Sequence, residues 1–210
     1  MNPLIGGLKF LSTTLFNSLV ALLFFLVAGH FASPSFVGKV AIIQLVETIT
    51  SSFFSVLPFQ LVTREVAHYY ASSQDYTKVI CTSLTYSLLI TPFFLFLLLF
   101  PSYLWLSIPY FIIYLYTSYQ FQLLSGLGKF GEANVGNVIF TLTRWGLSII
   151  AVLYHSVELL IMIWIVGALV KAIYYQRFLP LRLYIDWQIF KEIMKMGLPI
   201  YITGIVNFIS

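Results

Sequence analysis

Charge is what this chain has least of: eleven Lys or Arg and seven Asp or Glu in 210 residues, 9%, where soluble domains carry about 25%. So few charges cannot keep a folded surface in water, and a water-soluble enzyme is excluded. Cysteine is nearly missing as well. The single Cys81 rules out an intramolecular disulfide and, set in an apolar run with no other ligand beside it, reads as a small core residue. The sequence also lacks a Walker loop, a metal-ligand cluster and a nucleophile with a paired base. It offers no catalytic residue and implies neither a metal nor a cofactor. The net charge of +4 is spread between hydrophobic segments instead of forming a patch, which argues against nucleic acid as a partner.

What is abundant is apolar surface, with 60% hydrophobic residues and a mean hydropathy of +0.95. The fold class this predicts is all-α, a polytopic membrane helix bundle in which lipid replaces water as the solvent. A span needs roughly 20 mostly apolar residues. Six stretches qualify: Phe10 to Phe31, Phe36 to Val62, Val79 to Phe100, Tyr103 to Ser125, Asn134 to Tyr154 and Val157 to Gln176. A strand barrel would need alternating segments, and runs such as Phe93 to Phe100 do not alternate.

Lys9, Arg64, Lys78, Lys129, Arg177, Arg182, Lys191 and Lys195 all fall on one side of these spans, whereas the short loops Ala32 to Ser35, Pro101 to Ser102 and His155 to Ser156 contain no Lys or Arg. The positive-inside rule then predicts a multi-pass protein of the cell membrane with a cytoplasmic N-terminus. A cleaved signal peptide is disfavoured because the first apolar stretch is longer than an h-region and carries Thr13, Thr14 and Asn17. Beyond the lobe formed by residues 1–176, an amphipathic segment at 177–196, helical from about Asp186 and anchored by Trp187, is expected to lie in the cytoplasmic interface. Residues 197–210 read as the start of a seventh helix, too short to span, as in a fragment or a natural half transporter.

Read at 100° per residue, three spans carry polar stripes. Asn134, Asn137, Thr141, Arg144 and Ser148 share one face of the fifth. Gln44, Glu47, Ser51 and Ser55 share one face of the second, with Lys39 somewhat off-axis towards the outer end. Tyr103, Ser107, Tyr110, Tyr114 and Thr117 line the fourth. Arg144 is near the bilayer midplane, where a charge costs about 2.5–3.5 kcal/mol on insertion scales. Two readings answer this. Arg144 pairs with Glu47, also near mid-depth, and serves packing; or it lines a hydrated cavity, with or without Lys39, and binds an anionic group such as phosphate. A pair that opens when phosphate displaces the carboxylate satisfies both. Tyr110 and Tyr114 could stack on a sugar or bond a neighbouring helix. Gly126, Gly128 and Gly131 spell G-x-G-x-x-G, but they follow a membrane span and not a strand, so they read as a turn, with Gly136 allowing close helix approach.

Four stretches carry a resemblance: Phe36-Val37-Gly38, Val62-Thr63-Arg64-Glu65-Val66-Ala67, Leu124-Ser125-Gly126-Leu127-Gly128-Lys129-Phe130 and Lys195-Met196-Gly197-Leu198-Pro199. In this order, between helix pairs with short outer loops, they resemble the flippases of the multidrug/oligosaccharidyl-lipid/polysaccharide superfamily. The resemblance implies the N-terminal lobe of a V-shaped pair, moving a lipid-linked anionic oligosaccharide by alternating access. On that reading Arg144 and Lys39 engage the pyrophosphate, Asn137, Thr141, Tyr110 and Tyr114 line the substrate path, and Glu47 and Gln44 serve pairing or coupling. Expected partners are the glycan lipid, membrane lipids and a second lobe or second copy. The alternatives are a multidrug-type cation-coupled exporter, favoured by an apolar, acidic cavity, and a non-transporting membrane scaffold, favoured by stripes packed as helix contacts.

Overall fold

Prolines mark several of the helix boundaries. The computed structural model describes the backbone of residues 3–55 and 57–209, with side chains over 11–55 and 57–203; it is helical, with no strand among the described residues. Helix α1 (Pro3–Phe31) turns at Ser33, whose Oγ accepts from the Phe36 amide at 3.2 Å and caps α2 (Pro34–Phe54), with Pro34 in the first turn. The second expected span does not run on to Val62 as one helix. Pro58 disfavours helical backbone at the residue before it, so α2 ends at Phe54 and α3 (Phe59–Ala71) begins afresh.

Helix α4 (Thr77–Leu89) likewise gives way at Thr91-Pro92 to a 3₁₀ segment, Thr91–Leu99, before the short α5 (Ser102–Trp105). The fourth expected span starts late, as α6 (Ile108–Gly126) with Pro109 in its first turn. Helix α7 (Phe130–Thr141) passes through a π turn, Leu142–Gly146, into α8 (Ser148–Leu153), forming one continuous span. Helix α9 (Val157–Gln176) has the boundaries expected from sequence, capped by Ser156 Oγ, which accepts from the Leu159 amide at 3.1 Å.

The division expected at Gly197 does not appear as a helix break. Asp186 accepts from the amides of Gln188 and Ile189, and α10 (Trp187–Ile209) continues through Pro199. Pro199 removes one helical hydrogen bond without ending the helix.

Five helical stretches among the described residues are long and apolar enough to cross a bilayer: Leu11–Phe31, Pro34–Phe54, Thr77–Leu99, Phe130–Leu153 and Val157–Gln176. The fourth expected span is outside this set because α6 carries Tyr110, Tyr114, Tyr116, Tyr119, Gln120 and Gln122. Helix α6 is the interior element, packed on α3, α4, α7 and α9, and it has no need of the apolar surface that lipid demands. Conversely α1 leaves Leu11, Leu15, Leu19, Leu22 and Leu26 exposed on one face, a stripe that only an apolar solvent tolerates.

A backbone break inside a membrane bundle leaves carbonyls that need donors. At the end of α2 tyrosines supply them. Tyr86 donates to Phe54 O at 3.3 Å, Tyr119 to Leu57 O at 2.9 Å, and Tyr201 of α10 to Phe53 O at 2.6 Å.

Candidate functional site: a buried ion pair between spans

Arg144 stands in the π turn, where the Leu147 amide reaches back to Leu142 O at 3.0 Å across five residues. The wider turn brings two consecutive side chains, Arg144 and Trp145, to the interior, at 7% and 8% exposure. The backbone there is held from α9: Trp164 Nε1 donates to Arg144 O at 2.9 Å and to Ser148 Oγ at 3.0 Å, while Ser148 Oγ itself donates to Arg144 O.

From this turn the guanidinium crosses to α2. Its Nη2 donates to Glu47 Oε2 at 2.6 Å and its Nη1 to Oε1 at 3.1 Å, a two-pronged pairing of planar groups. Tyr110 of α6 adds a third donor to Oε2, at 2.8 Å. The guanidinium carbon lies 4.4 Å from the Trp164 ring centre and 4.6 Å from that of Trp145. Tyr110, Phe140 and Tyr114 stand at 5.5, 5.6 and 5.9 Å. Such rings contribute about 0.5–2 kcal/mol each, more when dry, so this cage offsets part of the desolvation of the charge. The Nε of Arg144 is buried with no hydrogen-bond partner.

Glu47 is as buried as Arg144, at 7% exposure, and the pair is sealed in this conformation. The expectation of a hydrated guanidinium is therefore not met here; the interhelical ion pair, the other reading of Arg144, is what the structure has. The physical reason is the ring cage, which occupies the space a water-lined cavity would take.

Of the remaining expected residues, Tyr110 and Tyr114 join the cage. Thr141 is buried one turn before Arg144, and Gln44 is half-buried one turn before Glu47. Asn137 accepts from Tyr175 OH at 3.3 Å, as a contact between α7 and α9. The close approach there depends on Gly136, where an added Cβ would stand 2.1 Å from Tyr175 Cε1. Lys39 is separate, its ammonium 5.8 Å above the Tyr103 ring, and is not brought to Arg144 as a joint anion site.

Sequence reasoning passed over Lys171. It is 5% exposed on α9, with its ammonium over the rings of Phe140 at 4.9 Å and Tyr175 at 5.5 Å. Phe140 thus has both cations against it, Lys171 and Arg144, and of the two it is Arg144 that Glu47 pairs with. The signal in the sequence was weak: Lys171 stands five residues before Gln176, near enough to the end of its span to snorkel to the interface, and only the fold shows it buried.

No protein family, curated protein or solved structure matches this chain. Fold and site together define its class, a multi-pass helical membrane protein with a buried interhelical ion pair.

Proposed function

We propose that the chain is a membrane transporter that flips a lipid-linked anionic oligosaccharide, and that the Glu47–Arg144 pair is the latch of its closed state. One observation carries this reading: both oxygens of Glu47 sit on the guanidinium in the arrangement that two phosphate oxygens would adopt. A substrate phosphate can replace the carboxylate oxygen for oxygen, so Arg144 need never be left unpaired in the low-dielectric interior. Helix α2 is suited to the movement this needs. It packs sparsely, touching α1, α6, α9 and α10 at few points, and its C-terminal end is a ready-made break. Opening would expose Arg144, Thr141 and the tyrosines of α6 along one path, and α6 would serve as a sixth crossing in the centre.

The sealed cage favours a second reading, a membrane scaffold in which the pair only fixes packing. Accessibility separates the two. In a Cys81→Ala background, Thr141→Cys is expected to react slowly with a water-borne thiol reagent and at least several-fold faster once Glu47→Gln releases the latch. Equal protection with and without Glu47→Gln, alongside unchanged function in Arg144→Ala, would leave only the scaffold.

A further inference from the structure

The glycine turn 126–131 takes no part in the latch, yet it borders a polar cleft at the helix ends. Gly128 adopts φ +72° and the Lys129 amide closes the turn on Leu124 O at 2.9 Å, which aims Lys129 sideways at the chain leaving α9. A cavity of about 350 Å³ lies there, walled by Tyr70, Tyr76, Thr77, Leu127, Lys129 and Phe178. That is the lower end of the range for small-ligand pockets.

The depth of this cavity follows from its walls. Thr77 opens the span Thr77–Leu99, Leu127 follows the end of α6, Lys129 precedes Phe130–Leu153, and Phe178 follows Val157–Gln176 by two residues. Four helix ends converge on it, which puts it at the level of lipid headgroups and on the face that carries the basic loops. The Lys129 ammonium is 5.6 Å from the Phe178 ring centre and touches Phe178 O at a long 3.4 Å, leaving donors unused. Thr77 and Tyr76 add hydroxyl donors. No carboxylate is among the residues that wall the cavity; Asp75, two residues before Thr77, accepts from the Thr77 amide at 3.1 Å, and Asp186 is paired with Lys78. Leu127, Phe178 and the Tyr70–Tyr76 edge contact, at 5.4 Å, form the apolar wall.

We infer that this cavity binds the phosphodiester headgroup of an anionic membrane phospholipid, with Lys129 on the phosphate and the aromatic wall against the glycerol. A lysine point charge with flanking hydroxyls suits a phosphate, and at this depth the phosphates present in quantity are those of the bilayer. The inference is independent of the transport reading.

The test is native mass spectrometry of the full chain in detergent with phosphatidylglycerol or phosphatidylcholine, repeated with inorganic phosphate as competitor. Wild type is expected to hold a phosphatidylglycerol that phosphatidylcholine does not replace. Lys129→Gln should weaken it by about tenfold, the worth of one charge-assisted hydrogen bond. Lys129→Arg and the exposed-site control Lys191→Gln should keep it. Melting temperatures measured without lipid confirm that the variants compared are folded. Undiminished binding in Lys129→Gln, or an equal loss in Lys191→Gln, overturns the site. Displacement by inorganic phosphate at the same concentration as the lipid overturns the lipid in favour of a free phosphate ion.

Discussion

At the scale of residues, Arg144 and Lys171, both buried, call for opposite outcomes. Arg144 has both a carboxylate and a cage, so removing either partner strands the other charge. Glu47→Met or Arg144→Met alone is expected to cost about 3–5 kcal/mol, and the double variant to recover most of that. Denaturant unfolding in detergent would show it as a strong positive coupling in a double-mutant cycle. Lys171 has rings but no carboxylate within hydrogen-bonding reach among the described residues. Lys171→Met keeps the length of the side chain and removes the buried amine. It is expected to raise the melting temperature, equivalent to about 1–3 kcal/mol, and a lowered value would show that Lys171 gains an anionic partner in the folded protein.

At the scale of elements, the break after α2 depends on donors from other helices. Tyr119→Phe leaves Leu57 O buried and unpaired, for an expected loss of about 1–3 kcal/mol. Tyr201→Phe frees Phe53 O at an exposed position and should cost well under half as much. Equal losses would mean that ring packing, and not the hydrogen bond, holds the break. The break was half legible in sequence. Pro58 is a plain stop signal, but the hydrophobic run continues past it to Val62, and hydropathy alone reports a single crossing. The donors were not legible, because tyrosines read as interface belts or local stripe members until the fold places Tyr86 and Tyr119 against a distant carbonyl. The same holds for the π turn: a stripe at spacings of three and four describes a regular helix, and one extra residue per turn leaves no mark on it.

At the scale of the whole molecule, the polarity of α6 and the apolar face of α1 are two sides of one arrangement, with a polar helix inside and leucines outside. Lipid need not be faced by every crossing helix, so five helices among the described residues are long and apolar enough to cross where the topology proposed here uses six. Labelling tests this in the Cys81→Ala background. Ser72→Cys and Arg177→Cys are expected to react from the side that carries the basic loops, and Ser102→Cys and Tyr154→Cys from the opposite side. Reaction of Ser102→Cys from the same side as Ser72→Cys would remove a crossing between them and with it the proposed topology.

The apolar solvent and the helical class were decided by the sequence itself, because they depend on composition and on the length of the apolar runs; for Arg144 the sequence left two readings open, a pair with Glu47 or a hydrated anion site. Whether the guanidinium is wet or sealed, which carbonyls the tyrosines satisfy and that Lys171 shares a ring with Arg144 were decided only in three dimensions. Periodicity tells which face of a helix a residue occupies, but it carries no information about which other helix that face meets, and 97 residues separate the two halves of the latch.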